Sequence, residues 1–190
     1  MGIKSAHVRG FRSLRDVAWQ PGALNVLIGP NGSGKSNLLR ALALLQRSAI
    51  GDLPQEVVRL GGIAPLLWDG QVDELAWSVT ADLPHGNPES AKGAMVYDLR
   101  LRRLGVTSSY RVEGERLGPP RAPEGPPEPL FERGPGPSVT IYDRDAGRQV
   151  FGGMSEDEPA LATAGGPFGH QDVTGFRAAL AGWSIFHDVS

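Results

Sequence analysis

The sequence contains no cysteine and only three lysines. The absence of cysteine excludes disulfide bonds and thiolate metal sites, which fits a reducing compartment. Lys4, Lys35 and Lys92 are the only lysines among nineteen cationic side chains. Lys35 is therefore conspicuous, because it stands inside a glycine-rich run.

The chain also lacks a long apolar stretch and a strong charge of either sign. No run of about eighteen apolar residues occurs, and the N-terminus has no apolar core of a signal peptide. The formal net charge is −2 and the pI is about 6.1, so any contact with nucleic acid would have to be local. We expect a cytoplasmic protein without membrane contact. The 190 residues suffice for one domain, or part of a larger one.

The first part of the sequence, residues 1–50, has the pattern of tightly built α/β structure. Residues 3–8 alternate as a half-buried strand, and residues 11–19 could pair with them after a turn at Arg9-Gly10. Residues 23–28 are almost continuously apolar, which predicts a strand buried on both faces. Residues 35–47 are rich in leucine and alanine and predict a buried helix.

Residues 70–155 predict an antiparallel meander. Alternating segments at 74–79, 95–103 and 110–117 are followed by a hairpin over 138–150, with Asp145-Ala146-Gly147 as its turn.

Residues 113–137 hold eight of the sixteen prolines and five glycines, which predicts a mobile surface loop without the hydrogen-bond ladder of a sheet.

The last part, residues 156–190, contains a helical pattern at 176–183 and then an apolar segment that stops at Ser190, so we expect the helical segment to be truncated.

A phosphate-binding motif connects the predicted buried strand to the leucine-rich helix. It consists of Gly29, Pro30, Asn31, Gly32, Ser33, Gly34, Lys35 and Ser36, and matches the Walker A pattern. In such a loop, backbone amides and the following helix N-terminus converge on phosphate oxygens. Lys35 would bridge the β- and γ-phosphates, and the Ser36 hydroxyl would ligate Mg²⁺. The alternative, a glycine turn that binds nothing, is disfavoured by the strand and helix patterns on either side.

Residues 10–17 (GFRSLRDV) and 24–39 (LNVLIGPNGSGKSNLL) together resemble the opening of RecF/SMC-like ABC-type ATPases. The resemblance is strongest to bacterial AAA-family ATPases related to the overcoming-lysogenisation-defect proteins. It implies a P-loop NTPase lobe with an inserted antiparallel β meander, and it implies binding of ATP and Mg²⁺. Asn37 and Arg12 join the expected nucleotide site by this resemblance. Arg12 could instead be a solvated arginine at a strand end.

The resemblance also implies motifs that the sequence does not supply clearly. Thr163 stands where the family usually has a glutamine, and Gln171 could substitute for it. Asp143 is the best candidate for the end of a Walker B strand, but it lacks the following glutamate. We identify no catalytic residue, and no serine-glycine signature. We therefore expect residues 1–190 to be the N-terminal lobe of an incomplete ABC-type ATPase head.

Such a lobe would bind ATP but hydrolyse it negligibly without a C-terminal lobe or a second copy of the head. A DNA or nuclease partner is implied by the resemblance alone. Two other functions remain open: a non-catalytic truncated nucleotide-binding or interaction module, and a small P-loop kinase. Arg100, Arg102 and Arg103 could touch DNA or form an ordinary solvated strand face.

Overall fold

The computed structural model describes residues 2–82, 93–120, 128–143, 147–163 and 170–185. The described strands are β1 (Ile3–Phe11), β2 (Leu14–Trp19), β3 (Glu74–Asp82), β4 (Ala94–Arg103), β5 (Tyr110–Gly118), β6 (Phe131–Arg133), β7 (Val139–Asp143) and β8 (Gly147–Phe151). The described helices are α1 (Lys35–Ile50), α2 (Leu53–Arg59) and α3 (Gln171–Ala181), with 3₁₀ turns η1 (Ala64–Leu66), η2 (Trp68–Gly70) and η3 (Ala160–Thr163). The fold is α/β, with an antiparallel sheet.

All eight strands form one sheet in the order β2-β1-β3-β4-β5-β6-β7-β8, and each neighbouring pair is antiparallel. The predicted meander is therefore present. Only one step departs from chain order, because β1 lies between β2 and β3. Asp145 and Ala146 of the predicted turn lie outside the described residues, and Gly147 is the first residue of β8, which pairs with β7.

The helices pack against the central strands on one face of the sheet. The indole nitrogen of Trp77 on β3 donates to the Ala41 carbonyl of α1 at 3.0 Å. The ring of Tyr97 on β4 lies 5.8 Å from that of Phe176 on α3. The core beneath α1 is therefore built from large side chains of β3 and β4. No helix within the described part of the chain is long and apolar enough to span a membrane.

The turn between the first two strands lies at Arg12-Ser13, so the prediction of a turn at Arg9-Gly10 is wrong. Phe11 pairs with Leu14, which leaves a two-residue connection. Gly10 stays inside β1 with φ of +72°, and a Cβ there would lie 2.3 Å from the Glu74 carbonyl oxygen. Gly10 is thus required by the close approach of another backbone, and not by a turn.

The Pro/Gly-rich stretch 113–137 is more ordered at its ends than the sequence predicts. β5 extends to Gly118, and β6 occupies residues 131–133, with Leu117 and Phe131 completely buried. The two strands pair, because these buried side chains anchor short segments on both sides of the prolines. Residues 121–127 lie outside the described residues.

The apolar run at 23–28 does not form the predicted strand. Leu24 and Ile28 are 87% and 90% exposed. A strand that is buried on both faces needs neighbours to pair with, and every described strand belongs to the antiparallel sheet, which does not include residues 23–28. The strand of the predicted strand–loop–helix unit is thus absent, while the helix begins at Lys35 as expected.

Candidate functional site

Gly34 of the phosphate-loop motif is the N-cap residue of α1, and the last two residues of the motif, Lys35 and Ser36, begin the helix. Gly34 adopts φ of +95°, no side chain caps the helix by a hydrogen bond, and the first turn holds no acidic residue. The first amides of a helix have no partner within the helix, and its dipole favours an anion at this end. This end of α1 therefore presents unsatisfied donors and no competing carboxylate from its own first turn.

The Lys35 ammonium lies over the backbone of the loop. Its Nζ donates to the Gly29 carbonyl at 2.6 Å, to the Pro30 carbonyl at 2.8 Å and to Ser33 Oγ at 3.3 Å. Because these acceptors belong to the loop, the charge stays inside the turn that the motif makes. No carboxylate forms an ion pair with Lys35 in the part of the chain that the structure describes.

Ser36 is the second residue of α1 and is exposed. Its hydroxyl is a hard oxygen donor of the kind that Mg²⁺ accepts together with phosphate oxygens and water. The described residues contain no cluster of three or more His, Cys, Asp or Glu side chains that could hold a metal by itself. The donor set therefore fits a magnesium ion that arrives with a phosphate ligand, and it does not fit a permanent metal centre.

The β1–β2 turn lies directly against this loop. Asn37 Nδ2 donates to Ser13 Oγ at 2.8 Å. A Cβ on Gly34 would lie 3.0 Å from Ser13 Oγ and 3.1 Å from Leu14 Cδ2. Glycine is thus needed at position 34 both for its backbone conformation and for the space that the turn leaves. Asn37, which the resemblance places in the nucleotide site, is bonded to the turn in this structure.

Arg12 occupies that turn in a left-handed conformation, with φ of +47°. Its amide donates to the Leu66 carbonyl at 2.9 Å, and its guanidinium carbon lies 5.7 Å from the centre of the Phe11 ring. Partial burial, and then the neighbouring charge of Arg40, lower the pKa of Arg12. Arg12 is therefore next to the loop and shares its surroundings with a second cation.

The other candidates for the nucleotide site lie elsewhere. Asp143 ends β7, which is five strand spacings from β1, or about 24 Å at the usual spacing of strands. Thr163 Oγ1 donates to the Ala160 carbonyl within η3, and Gln171 is the first residue of α3. Residues 164–169 lie outside the described residues. The structure therefore does not bring Asp143 to the loop.

The three arginines of β4 mainly contact their own protein. Arg102 Nη2 lies 3.2 Å from Glu74 Oε2, and Arg103 donates to the carbonyls of Val106 and Thr107 at 2.6 Å each. Arg100 lies 3.8 Å from the same Glu74 oxygen. These contacts agree with the solvated strand face, one of the two interpretations of the sequence.

Two residues of interest were missed by the sequence patterns. Arg40 follows Ser36 by four residues, a helical spacing that would have placed both on one face of α1. Glu115 is buried because a bulge in β5 shifts the register between Arg100 and Leu101 of β4. Since a bulge changes which face a side chain occupies, alternation alone predicted nothing about Glu115.

Comparison with known families supports the resemblance at the N-terminal part of the chain. Residues 24–77 match the family described as "AAA domain, putative AbiEii toxin, Type IV TA system". This match includes the whole phosphate-loop motif and α1.

Curated relatives match longer or shorter segments. An OLD nuclease of Thermus scotoductus is 28% identical over 135 residues, covering 66% of this chain and 23% of that protein. The cytochrome c biogenesis ATP-binding export protein CcmA of Rhodospirillum rubrum is 67% identical over 49 residues, covering 24% of this chain and 21% of that protein. The hemin import ATP-binding protein HmuV of Ruegeria sp. is 33% identical over 109 residues, covering 55% of this chain and 36% of that protein.

Among solved structures, a chain from a structural study of the ATP-driven dimerization and DNA-stimulated activation of SMC ATPases has a TM-score of 0.48 and 22% identity. The match covers 64% of this chain and 72% of that one. The chain aligns with only 23% of the OLD nuclease and 36% of HmuV. The family match and the curated relatives confirm that the chain resembles the N-terminal lobe of RecF/SMC-like ABC-type ATPases.

Proposed function

We propose that this chain binds ATP with Mg²⁺ in the loop formed by residues 29–36. The observation that carries the proposal is the position of Lys35, whose ammonium lies inside the loop, 2.6 Å from the Gly29 carbonyl, at the uncapped N-terminus of α1. A cation and a set of free amides at one point form a site for a polyphosphate. The resemblance to ATP-binding proteins supports ATP as the ligand.

Within this site each side chain has a separate role. Lys35 exchanges its bonds to the loop carbonyls for bonds to the phosphates, which are stronger because both partners are charged. Ser36 supplies one oxygen to the magnesium ion, which neutralises phosphate charge when it is bound. Arg12 adds a second cation from the β1–β2 turn. Asn37 acts through its bond to Ser13 and holds that turn against α1.

We further propose that the lobe belongs to an ATPase head in which hydrolysis requires groups from a second lobe or a second copy. Phosphoryl transfer to water needs an oriented water molecule as well as stabilisation of the transferring group. The loop and Arg12 serve only the second purpose. Asp143, the best acidic candidate in the sequence, lies on β7, distant from the loop.

A thermal-shift experiment with and without Mg²⁺ tests the binding proposal. A ligand that binds only the folded state raises the apparent stability by an amount that grows with its concentration. We expect MgATP to raise Tm more than ATP with a chelator, since Ser36 supplies a magnesium ligand. The variant Ser36→Ala should retain the response to ATP alone and lose the additional response to Mg²⁺. An equal response of both proteins to Mg²⁺ would contradict the assignment of Ser36.

A further inference from the structure

A third cation, Arg40, lies one helical turn beyond Ser36 on the same face of α1. Residues four apart on a helix lie above one another, so Arg40 follows the side of α1 that carries the Ser36 hydroxyl. Arg40 is also three residues beyond Asn37, which is its neighbour on the helix surface. A line of polar side chains thus leads from the phosphate loop along α1 to Arg40.

The β1–β2 turn brings Arg12 to the same place. Ser13 is bonded to Asn37 at 2.8 Å, and the residue before it is Arg12. The backbone of Arg12 is fixed on the other side by its bond to the Leu66 carbonyl. The turn is therefore held from two directions, by α1 and by the segment that contains η1, and this fixes where the Arg12 side chain begins.

Arg12 precedes Ser13, which is bonded to Asn37, and Arg40 lies one helical turn beyond Asn37, so the two arginines extend from neighbouring parts of the surface. Burial, and then the charge of Arg40, lower the pKa of Arg12. In the part of the chain that the structure describes, neither guanidinium has an ion pair with a carboxylate. Two positive charges held near each other without a neighbouring carboxylate repel each other in the ligand-free protein. An anion that binds between them is attracted by both charges.

We infer that Arg40 is a further nucleotide-binding residue, which forms with Arg12 a two-arginine site for a phosphate oxyanion next to the loop at 29–36. This inference rests on the proposed function and extends it, because it adds a binding residue to the same site. Guanidinium groups suit this task, since each presents several donors in a plane that matches a phosphate. The Ser13–Asn37 bond positions the pair by holding the turn against α1.

If Arg40 and Arg12 bind phosphate together, substitution of Arg40 should change nucleotide binding and the stability of the free protein in opposite ways, which the loss of a purely structural arginine would not do. Arg40→Gln removes repulsion from the free protein, so Tm without nucleotide should stay equal or rise. The same substitution should weaken MgATP binding by about threefold to tenfold, the effect of losing a charged hydrogen bond on a partly exposed site. The loss should be larger for ATP than for AMP, and it should shrink as salt screens the charges.

Arg47→Gln is the matched control on the same helix. Arg47 Nη1 lies 3.0 Å from Asp52 Oδ2 near the C-terminal end of α1. Its substitution should lower Tm slightly, and it should leave the Kd for MgATP unchanged. Arg40→Lys keeps the charge and should retain most of the affinity that Arg40→Gln loses.

Calorimetric titration of these variants and of Lys35→Ala with MgATP tests whether Arg40 binds the nucleotide. The expected result is a weaker Kd for Arg40→Gln together with an unchanged or higher Tm of the free protein. If Arg40→Gln binds MgATP like the wild type while Lys35→Ala does not, the inference is overturned and the proposed function stands. If neither substitution changes binding, both are overturned. A fall in Tm of the free protein, similar to that of Arg47→Gln and without a change in Kd, would also overturn the inference.

Discussion

Asn37 on the first turn of α1 donates a hydrogen bond to the hydroxyl of Ser13 on the β1–β2 turn, with 2.8 Å between Nδ2 and Oγ. This bond connects two parts of the chain that are 24 residues apart. The β1–β2 hairpin therefore lies next to the phosphate loop, and Ser13 and Leu14 occupy the space that a side chain at position 34 would need. The loop is thus shaped by the sheet as well as by its own glycines.

Gly34→Ala should destabilise this arrangement strongly. Position 34 has φ of +95°, and a Cβ there would lie 3.0 Å from Ser13 Oγ. An alanine in such a conformation costs more than about 1 kcal/mol, before any displacement of the turn. Urea unfolding should show the loss. Gly152→Ala is the control, because its Cβ would meet nothing within 4 Å and its φ is not positive. Equal stabilities of the two variants would contradict the steric role of Gly34.

Glu115→Ala should be among the most destabilising substitutions in the meander. The buried Glu115 carboxylate accepts hydrogen bonds from Tyr97 Oη at 2.9 Å, from the Ala160 amide at 2.6 Å and from the Leu161 amide at 2.9 Å. Burial raises the pKa of Glu115, and the two amides oppose that rise. Removing the carboxylate leaves these donors without an acceptor, at about 3 kcal/mol in total.

Denaturant unfolding of Glu115→Ala measures this cost. Glu132→Ala is a suitable control, because Glu132 is exposed and accepts a hydrogen bond from Tyr142 at the surface. The control should change the free energy of unfolding by less than about 1 kcal/mol. A Glu115→Ala protein as stable as this control would show that η3 is held to the sheet by apolar packing alone.

The apolar segment at 23–28 should promote self-association of the isolated chain. Leu24, Val26 and Ile28 are 87%, 74% and 90% exposed, and they lie close together in sequence. Exposed apolar groups in one segment favour association, whereas single ones are tolerated. The double substitution Leu24→Ser with Ile28→Ser should shift sedimentation towards the monomer. Val106→Ser is the control, since Val106 is 92% exposed on a different turn. If Val106→Ser shifts sedimentation as much as the double substitution does, the segment at 23–28 is not the surface that drives self-association.

The isolated chain should bind ATP but turn it over at less than about one per minute, slow compared with ordinary enzymes. Within the described residues, no carboxylate forms an ion pair or hydrogen bond with Lys35 or Ser36, and Asp143 lies on β7, distant from the loop. Hydrolysis also needs a group that orients the attacking water molecule. A steady-state ATPase assay tests this, with Lys35→Ala as the control for contaminating activity. Faster turnover that depends on Lys35 would show that the chain contains a catalytic acid.

Most of the fold could be predicted from the sequence, because the alternation of polar and apolar residues in strands and their periodicity in helices are local patterns. The strands around Trp77 and Leu99 and the start of α1 at Lys35 follow from this. Three features depend on distant contacts and could not be predicted in this way. The position of the first turn depends on the approach of the Glu74 backbone to Gly10. The burial of Glu115 depends on a bulge in β5. Residues 23–28 would need a neighbouring strand to form a strand themselves, and the sheet does not include them.

The candidate site was predictable to a similar degree. The motif placed Lys35 and Ser36 together at the start of a helix, since their order in sequence settles that geometry. It could not predict that Asn37 bonds to Ser13, because this contact depends on how the hairpin meets α1. It also gave no reason to select Arg40, because the position of the Arg12 turn against α1 depends on the same contact between Asn37 and Ser13.

Calorimetric titration of the chain and of Lys35→Ala with MgATP tests whether the loop at residues 29–36 binds the nucleotide through Lys35. Lys35 is the cation that lies inside the loop, so in the proposed site its loss removes the charge that contacts the phosphates. Alanine is a good helix former, so the start of α1 should tolerate the substitution. We expect saturable heat from the wild type, and binding that is at least about tenfold weaker, or absent, in the variant. Identical titrations of the two proteins, or no heat from either, would contradict this expectation.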